Sequence, residues 1–319
     1  MSQRKLQQCQ TLAMVNQKGG CGKTTSAVGL AAGLSIMGYS VCIVDLDSQC
    51  NATQSFSAAL GEIKGIQYSA LDIYLKNRKA TDIRVQLGTD KFIGGLSIVP
   101  GHRSLAQVHA KLEADLRTEV ITDERSPEEE DDIRLSQRGR LRKSLASLKD
   151  ECDFIILDTP PELGFIMSTA LQSADWFCLP VFPSQYDLDG LKRLTQTVAK
   201  IRQRSNSKLD LLGVVVGNFD QSTKLDSQIL EVLEKSFRDK VFPPIHRGVR
   251  IREAAAHGVT IFEHAPDTVV AIQFMEICEL TAARVQAALD VQEGFVPTTA
   301  VVPQPQPAQS EVRSSEATA

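Results

Sequence analysis

The sequence lacks the features that would place it in several broad protein classes. Its seven cysteines are odd in number and none are in C-x-x-C spacing, which disfavours zinc sites and disulfide frameworks and fits a reducing cytoplasm. The sequence shows no signal peptide and no apolar run long enough to span a bilayer. Because the net charge is only −4, any nucleic-acid binding must come from a local basic patch.

The order of apolar segments predicts an α/β fold. The 319 residues suit one large domain or two small ones. Strand-like runs alternate with helical patterns, which indicates a mostly parallel, twisted sheet with helices on both faces. Residues 41–44 and 154–157 lack polar alternation, as expected of strands buried on both sides. The predicted strands are 11–16, 40–45, 96–99, 153–157, 175–181 and 210–216.

A glycine-rich segment at residues 18–25 has the composition of a phosphate-binding loop between a strand and a helix. Its glycines allow tight turning of the backbone, and its N–H groups with the start of the next helix can cradle an anion. Lys23 would contact the β and γ phosphates, and the Thr24 hydroxyl would bind Mg²⁺. The predicted nucleotide-binding residues of the loop are Lys18, Gly19, Gly20, Cys21, Gly22, Lys23, Thr24 and Thr25.

Lys18 is a second lysine at the start of the loop and has no role in the ordinary scheme. We expect it to reach the nucleotide of a second copy of the protein. The alternative, a chance glycine-rich turn, is disfavoured because a strand and a helix flank the loop.

Carboxylates follow two further predicted strands. Asp45 and Asp47 end the second strand, where parallel sheets bind ligands; one can organise Mg²⁺ and the other can orient or deprotonate the attacking water. A helix-capping loop is the alternative interpretation. Asp158 ends an apolar strand in the manner of a Walker B acid, which holds Mg²⁺ through water. The predicted metal-binding residues are therefore Thr24, Asp45 and Asp158.

Two segments differ from the rest in composition. Residues 113–150 carry an acidic run followed by a basic run, which favours a solvated helical insertion with a mobile hinge near Ser126, and a partner-binding arm is the alternative. Residues 295–319 are rich in Pro, Gln, Ser, Thr and Ala, and we expect a disordered tail unlike a membrane-binding helix. The predicted division is an N-terminal extension at 1–10, an ATPase domain at 11–294 and this tail.

The chain resembles the ParA/Soj type of partition ATPase, within the deviant-Walker group of P-loop proteins that includes MinD and nitrogenase iron protein. The resemblance runs from about residue 10 to about residue 290. The motifs that carry it are Lys18–Thr25, Asp45–Gln49, Asp158–Pro161, Leu179–Ser184, Gly213–Asp220 and Ile245–Ala254.

The resemblance implies a homodimer that forms on ATP binding, with ATP and Mg²⁺ as cofactors. Lys18 would reach the partner's phosphates, Lys23 would act in cis, and Asp47 would activate water; these three are the predicted catalytic residues. Asn218 would lie near the adenine. The resemblance also implies non-specific binding to double-stranded DNA, location at the nucleoid, and a ParB-like or other protein that stimulates hydrolysis.

Four basic residues are the predicted DNA contacts, with solvated or Glu253-paired surface charges as the alternative. Arginine and lysine side chains that neutralise phosphates give salt-sensitive, sequence-independent affinity. The residues are Lys224 near a helix start and Arg247, Arg250 and Arg252 on a loop and turn. With the first strand near residue 11, we expect no N-terminal helix-turn-helix domain.

The leading hypothesis is a slow ATPase switch that partitions or positions DNA. Positioning of a protein cargo over the nucleoid is an alternative, and a MinD-like ATPase at the membrane surface is disfavoured by the tail. The missing C-x-x-C spacing disfavours a metal-cluster carrier. A scaffold without catalysis is disfavoured because Lys23, Thr24, Asp47 and Asp158 are all present.

Overall fold

The core of the molecule is a seven-stranded sheet in the order β3-β4-β2-β5-β1-β6-β7. The computed structural model describes residues 4–61, 67–88, 90–123, 126–185 and 188–292. All strand pairs in these residues are parallel except β3 with β4. The strands are β1 (Gln10–Met14), β2 (Val41–Asp45), β3 (Val85–Leu87), β4 (Leu96–Val99), β5 (Phe154–Asp158), β6 (Trp176–Val181) and β7 (Asp210–Val216).

Successive residues of the central strands enter two separate cores. In β5, Phe154 and Ile156 pack on one side of the sheet, whereas Ile155 and Leu157 pack on the other. Side chains of a strand alternate between faces, so an uninterrupted apolar run is what two covered faces require. The predicted doubly covered, mostly parallel sheet is confirmed.

Helices cover both faces. The first core includes side chains of α1, α2, α3, α12 and α13, and the second includes side chains of α4 to α10. The helices are α1 (Lys23–Ile36), α2 (Asn51–Gln54), α3 (Ser57–Gly61), α4 (Ala70–Lys76), α5 (Ala80–Ile83), α6 (Val108–Asp123), α7 (Pro127–Ala146), α8 (Phe165–Ser173), α9 (Leu188–Arg204), α10 (Lys224–Phe237), α11 (Val249–Ala256), α12 (Ile261–His264) and α13 (Val269–Gln292).

The six predicted strands correspond to β1, β2 and β4 to β7, with ends that differ by up to two residues. Strand β3 was not predicted. It has only three residues, it pairs antiparallel with β4, and its middle residue Gln86 is exposed. Such a short edge strand lacks the apolar run that marks the buried ones.

The charged segment at 113–150 forms the greater part of α6 and α7. Three leucines on these helices, Leu112, Leu141 and Leu145, are buried in the second core, and Leu116 of α6 is buried as well, so both helices pack on the domain as well as facing solvent. Ser126 and Glu129 form a capping box that starts α7. Residues 124 and 125, beside the predicted hinge, and the predicted tail lie outside the described residues.

Glycines allow α13 to approach α1 closely. A Cβ on Gly29 would lie 2.5 Å from the ring of Phe274, and a Cβ on Gly33 would lie 2.4 Å from the Cys278 sulfur. Because these glycines are one turn apart, they form a shallow groove on α1 that receives α13. The groove fixes the position of Phe274, which lines two cavities beside the loop at residues 18–25.

Candidate functional site

The predicted site residues meet at the carboxyl edge of the sheet. The loop at 18–25 follows β1 and leads into α1, while Asp45 and Asp158 end the neighbouring strands β2 and β5. Asp158 is in register with Met14 of β1 on one side and with Asp45 of β2 on the other. The topology therefore brings residues far apart in the sequence to adjacent strand ends.

The loop is wrapped around the ammonium group of Lys23. Its Nζ donates to the Lys18 carbonyl oxygen at 3.0 Å, and the Cys21 sulfhydryl donates to the same oxygen at 3.1 Å. Gly20 and Gly22 have φ values of 72° and 90°, a region that favours glycine. Burial raises the pKa of the Cys21 thiol, which keeps it a protonated packing residue.

Two asparagine contacts hold the start of the loop. The side-chain amide of Asn16 donates to the Pro180 carbonyl at 2.7 Å, and its oxygen accepts the N–H of Lys18 at 3.1 Å. Asn16 thereby ties Lys18 to the end of β6. Lys18 itself is half-buried.

Thr24 and Asp158 lie together, as predicted for a magnesium site. The Thr24 hydroxyl donates to Asp158 Oδ2 at 2.7 Å, and Asp158 Oδ1 is buried with no hydrogen-bond partner among the described residues. Burial raises the pKa of Asp158 well above its usual value, and the nearby Asp45 carboxylate raises it further. A buried carboxylate oxygen without a donor beside a hydroxyl fits a hard divalent cation.

Asp45 has a different environment from the one predicted for a metal ligand. Its Oδ2 accepts the N–H and the hydroxyl of Thr53 at 2.9 and 2.6 Å, and its Oδ1 accepts the N–H of Asp47 at 3.2 Å. Burial raises its pKa to about 6, against these hydrogen bonds, which lower it. Both oxygens accept hydrogen bonds from protein donors, and these bonds fix the turn to Asp47. Metal binding by Asp45 stays a prediction.

Asp47 lines a cavity of about 450 Å³ together with Lys23 and Thr24. Its Oδ1 accepts the N–H of Gln49 at 2.9 Å, which orients the carboxylate. The structure thus places the predicted water-activating residue in the same cavity as the phosphate-binding loop.

A second cavity of about 510 Å³ adjoins the first and contains Asn218. The two cavities share Gly22, Thr25, Phe182, Ile251 and Phe274 as lining residues. Asn218 has a φ of 52°, an uncommon left-handed conformation for a residue other than glycine. The predicted adenine neighbour therefore lies beside the loop, across Phe182.

The four predicted DNA contacts divide into different settings. Arg247 and Arg252 are exposed and line the second cavity, whereas Lys224 is the exposed first residue of α10. Arg250 donates to Glu253 at 2.8 Å, which is the ion pair that the alternative interpretation named, and its contact with DNA stays a prediction. The expectation of a loop and turn is wrong for Arg250 and Arg252, which both lie on α11. Gly248 in extended conformation begins that helix.

Two aromatic residues of the site were not predicted. The ring of Phe182 packs against two glycines. A Cβ on Gly22 would lie 2.6 Å from this ring, and a Cβ on Gly217 would lie 2.7 Å from it. It therefore packs between the loop and the end of β7. Phe274 comes from α13, almost 250 positions after the loop, and no local sequence pattern distinguishes it from a core residue.

A basic helical surface was also missed. Helix α9 buries Leu194, Val198 and Ile201 at helical spacing. Five exposed cations lie on the rest of the helix: Lys192, Arg193, Lys200, Arg202 and Arg204. Arg193 Nε donates to Gln17 at 3.1 Å, which joins this basic surface to the segment just before Lys18. The apolar period with interleaved cations would have revealed it from the sequence.

Comparison with known proteins identifies similar chains. A family model described as an AAA domain matches residues 9–211. The sporulation initiation inhibitor protein Soj of Bacillus subtilis is 32% identical over 273 residues, covering 85% of this chain and 98% of the relative. The chromosome-partitioning ATPase Soj of Thermus thermophilus is 32% identical over 281 residues, covering 87% and 97%.

Solved structures share the fold. Cobyrinic acid a,c-diamide synthase from Mycobacterium smegmatis, with bound ATP analog and magnesium, has a TM-score of 0.65 at 23% identity, covering 90% of this chain and 97% of that chain. At this identity the similarity concerns the architecture alone. No helix in the described part of the chain is both long and apolar enough to cross a membrane.

Proposed function

Because this chain belongs to the ParA/Soj family of partition ATPases, we propose that it is an ATP-dependent dimerising switch that partitions or positions DNA. The observation that carries the proposal is the shared cavity of Lys23, Thr24 and Asp47, with the Thr24–Asp158 pair beneath it. ATP and Mg²⁺ are the cofactors that these residues fit. Chromosome-partitioning activity of the Soj relatives supports the positioning role.

The loop residues bind and neutralise the phosphates. Exposed Gly19 and Gly20 present backbone at the cavity, and Lys23 exchanges its contact with the Lys18 carbonyl for a phosphate oxygen. Thr24 and Asp158 would hold Mg²⁺, which when bound neutralises charge that develops on the phosphates. Magnesium sites of this kind use one or two carboxylates plus phosphates, which accords with the absence of a protein metal cluster among the described residues.

Asp47 orients the attacking water and accepts its proton. A carboxylate that lines the cavity and is held by the Gln49 N–H has the position this role requires. Lys18 would complete the site of the other subunit, so that neither subunit alone stabilises the transition state fully. Hydrolysis would then be slow until a ParB-like partner adjusts the two-subunit site, and it would release the dimer.

Basic residues near the loop supply the proposed non-specific DNA contact. The exposed cations of α9 adjoin the loop through Arg193 and Gln17, and Arg247 and Arg252 flank the second cavity. Dimerisation would double these contacts, and the phosphate contacts of such a surface weaken as salt rises. Association with the nucleoid follows from this DNA binding.

The test is retention of random-sequence double-stranded DNA and of anionic liposomes with ATP, with ADP and without nucleotide. We expect DNA to be retained with ATP at low salt and released as salt rises, and liposomes not to be retained. The double variant K192E/K200E should lose DNA retention while keeping ATP binding. The matched control is Lys149→Glu, an exposed lysine beyond α7 that lies next to Asp150 in a separate cavity.

ATP-dependent retention of liposomes in place of DNA would replace this proposal with membrane-surface positioning. An intact ATP-dependent dimer that retains neither would favour a protein cargo carried without DNA. Equal loss of DNA retention in K149E and K192E/K200E would show that net charge matters and the α9 surface does not.

A further inference from the structure

One hydroxyl behind the first cavity connects three elements at the carboxyl edge of the sheet. The Thr53 hydroxyl on α2 donates to Asp45 Oδ2 at 2.6 Å and accepts the N–H of Gly101 at 2.8 Å. The Thr53 N–H donates to the same Asp45 oxygen at 2.9 Å. Because Asp45 ends β2 and Gly101 closely follows β4, this side chain links α2 to the ends of two neighbouring strands.

Asp45 extends this connection to Asp47. The Oδ1 atom of Asp45 accepts the Asp47 N–H at 3.2 Å, and the Asp47 carbonyl oxygen accepts the Cys50 N–H at 3.0 Å. The backbone of Asp47 is therefore held on both sides, by Asp45 and by the residue before α2. The position of Asp47 in the cavity thus depends on a carboxylate that Thr53 holds.

The Asp45 carboxylate has little room to change its orientation. It is fully buried, and a Cβ on Gly101 would lie 2.8 Å from its Cγ and from its Oδ2. The backbone of Gly101 can approach so closely because glycine has no side chain. Thr53 is hydrogen-bonded to both of these partners, so the three residues form one packed unit.

Loss of the hydroxyl would loosen this unit. Hydrogen bonds to a carboxylate are stronger than those between neutral groups, so the contact from the Thr53 hydroxyl is among the firmest in the turn. Without it, Asp45 Oδ2 keeps the Thr53 N–H as a donor, and the Gly101 N–H loses this acceptor. A displacement of about 1 Å at a reacting group can lower a rate about a hundredfold.

We propose that Thr53 is a positioning residue for ATP hydrolysis, whose hydroxyl holds Asp45 and, through Asp45, the turn that presents Asp47 to the attacking water. This role rests on the proposed function, in which Asp47 activates that water. The phosphate-binding loop follows β1 and has contacts of its own, so Thr53 acts on turnover and not on ATP affinity.

The test compares two substitutions of Thr53 in the full chain. Thr53→Val replaces the hydroxyl by a methyl group and keeps the backbone N–H, whereas Thr53→Ser keeps the hydroxyl. Phosphate release over a range of ATP concentrations should show kcat lowered about tenfold or more in T53V, with the KM for ATP within about twofold of the original chain. T53S should recover kcat to within about threefold. A lowered ATP affinity with unchanged kcat would overturn the proposal.

Thr268→Val is the matched control for the loss of a hydroxyl. Thr268 is half-buried like Thr53, and its hydroxyl also donates to a carbonyl, that of Ala265 at 2.8 Å, and accepts an N–H, that of Ala271 at 3.4 Å. Urea unfolding should show that both valine variants are folded, and T268V should keep the original kcat. An equal fall of kcat in T53V and T268V would show a general effect of destabilisation and overturn the proposal.

A double-mutant cycle tests whether Thr53 acts through Asp47. T53V should lower single-turnover hydrolysis about tenfold in the original chain but less than about twofold in a chain that already carries Asp47→Ala, because coupled residues are not additive. An equal fall in both backgrounds would overturn the role. If T53V does not fold, Thr53→Cys takes its place, since a thiol is a weak donor; its kcat should fall about threefold or more, and full turnover would contradict the proposal.

Magnesium dependence separates this role from support of a metal site, since Asp45 is also a predicted metal-binding residue. The Mg²⁺ concentration for half-maximal turnover should stay within about twofold in T53V. A tenfold higher requirement with normal kcat at saturating Mg²⁺ would assign Thr53 to metal binding and overturn the proposal. Undiminished turnover in D47A would refute the proposed function, whereas undiminished turnover in T53V beside an inactive D47A would refute the positioning role alone.

Discussion

Asp158 shows at the scale of one residue how a proposed metal-binding role conflicts with stability. Its carboxylate is buried beside Asp45 and near Asp47, and its Oδ1 has no donor among the described residues. A charge in that position destabilises the metal-free protein, and a bound divalent cation would relieve the repulsion. Functional sites commonly retain such residues at the expense of stability.

We therefore predict that Asp158→Asn stabilises the nucleotide-free protein by about 1–2 kcal/mol at neutral pH and abolishes Mg²⁺-dependent hydrolysis. Asparagine keeps an acceptor for the Thr24 hydroxyl and removes the buried charge. Urea unfolding measures the first effect and phosphate release the second. Asp210→Asn, at a half-exposed surface position, is the control and should change stability by less than about 0.5 kcal/mol.

The same carboxylates predict a pH dependence. The pKa of Asp45 is raised from 3.8 to about 6 by burial, and that of Asp158 is raised as well. The folded state then binds more protons than the unfolded state in this range, so these groups reduce stability as pH rises from about 4 to 6 and beyond. The stabilisation by Asp158→Asn should be larger at pH 7.5 than at pH 5, and a larger effect at pH 5 would contradict the assignment.

Asp47 carries the proposed water activation, and its loss should separate binding from hydrolysis. Asp47→Ala should lower ATP turnover by about a hundredfold or more, the usual contribution of a general base. The ATP-bound dimer should persist, because the loop residues and Lys18 are unchanged. Single-turnover hydrolysis and sedimentation with ATP measure the two effects; undiminished turnover would refute the role.

At the scale of elements, the contact between α1 and α13 depends on residues without side chains. A methyl group on Gly29 would lie 2.5 Å from the Phe274 ring, whereas one on Gly139 of α7 would meet nothing within 4 Å. Alanine has a better helix propensity than glycine by about 1 kcal/mol, so the two sites should respond in opposite directions.

We predict that Gly29→Ala destabilises the protein by about 1–3 kcal/mol through overpacking, and that Gly139→Ala stabilises it by about 0.5–1 kcal/mol. Because Phe274 lines both site cavities, Gly29→Ala should also weaken ATP binding, whereas Gly139→Ala should not. Thermal unfolding and nucleotide titration of the pair provide the measurements. If both substitutions stabilise the protein, α13 can shift away from the methyl group added at Gly29 without cost, and the overpacking argument is wrong.

The strands and helices also show which elements could be located from sequence patterns and which could not. Buried strands such as β2 and β5 could be located because both faces are covered and their apolar runs are uninterrupted. Strand β3 could not, because its pairing with β4 is a tertiary contact between a three-residue segment and a neighbour. Helix α11 could not be located for a similar reason. The apolar residues between its arginines do not recur at a clear helical spacing, and the packing of Ala254 and Ile251 holds this segment as a helix.

At the scale of the whole molecule, Lys18 is the residue that we propose to contact the nucleotide of a second chain. Lys18→Gln removes the charge and keeps much of the side-chain length, so ATP should still bind to each subunit through Lys23 and Thr24. We expect ATP-dependent dimerisation to be lost, because the contact across the two subunits would lack its cation. Sedimentation velocity with ATP measures this, Lys149→Gln is the control, and a normal dimer in K18Q would refute the composite site.

The sequence by itself determined the local chemistry: a glycine loop that turns tightly, two lysines, a hydroxyl, and carboxylates after apolar strands. These could be identified because strand, turn and helix signals lie within a few residues of one another. Tertiary structure decided which groups each carboxylate contacts. Parallel pairing brings Asp158 to Thr24, whereas Thr53 donates two hydrogen bonds to Oδ2 of Asp45, and none of these hydrogen bonds follows from sequence spacing. It also decided that Phe182 and Phe274 line two adjoining cavities, since these surfaces combine residues from opposite ends of the chain.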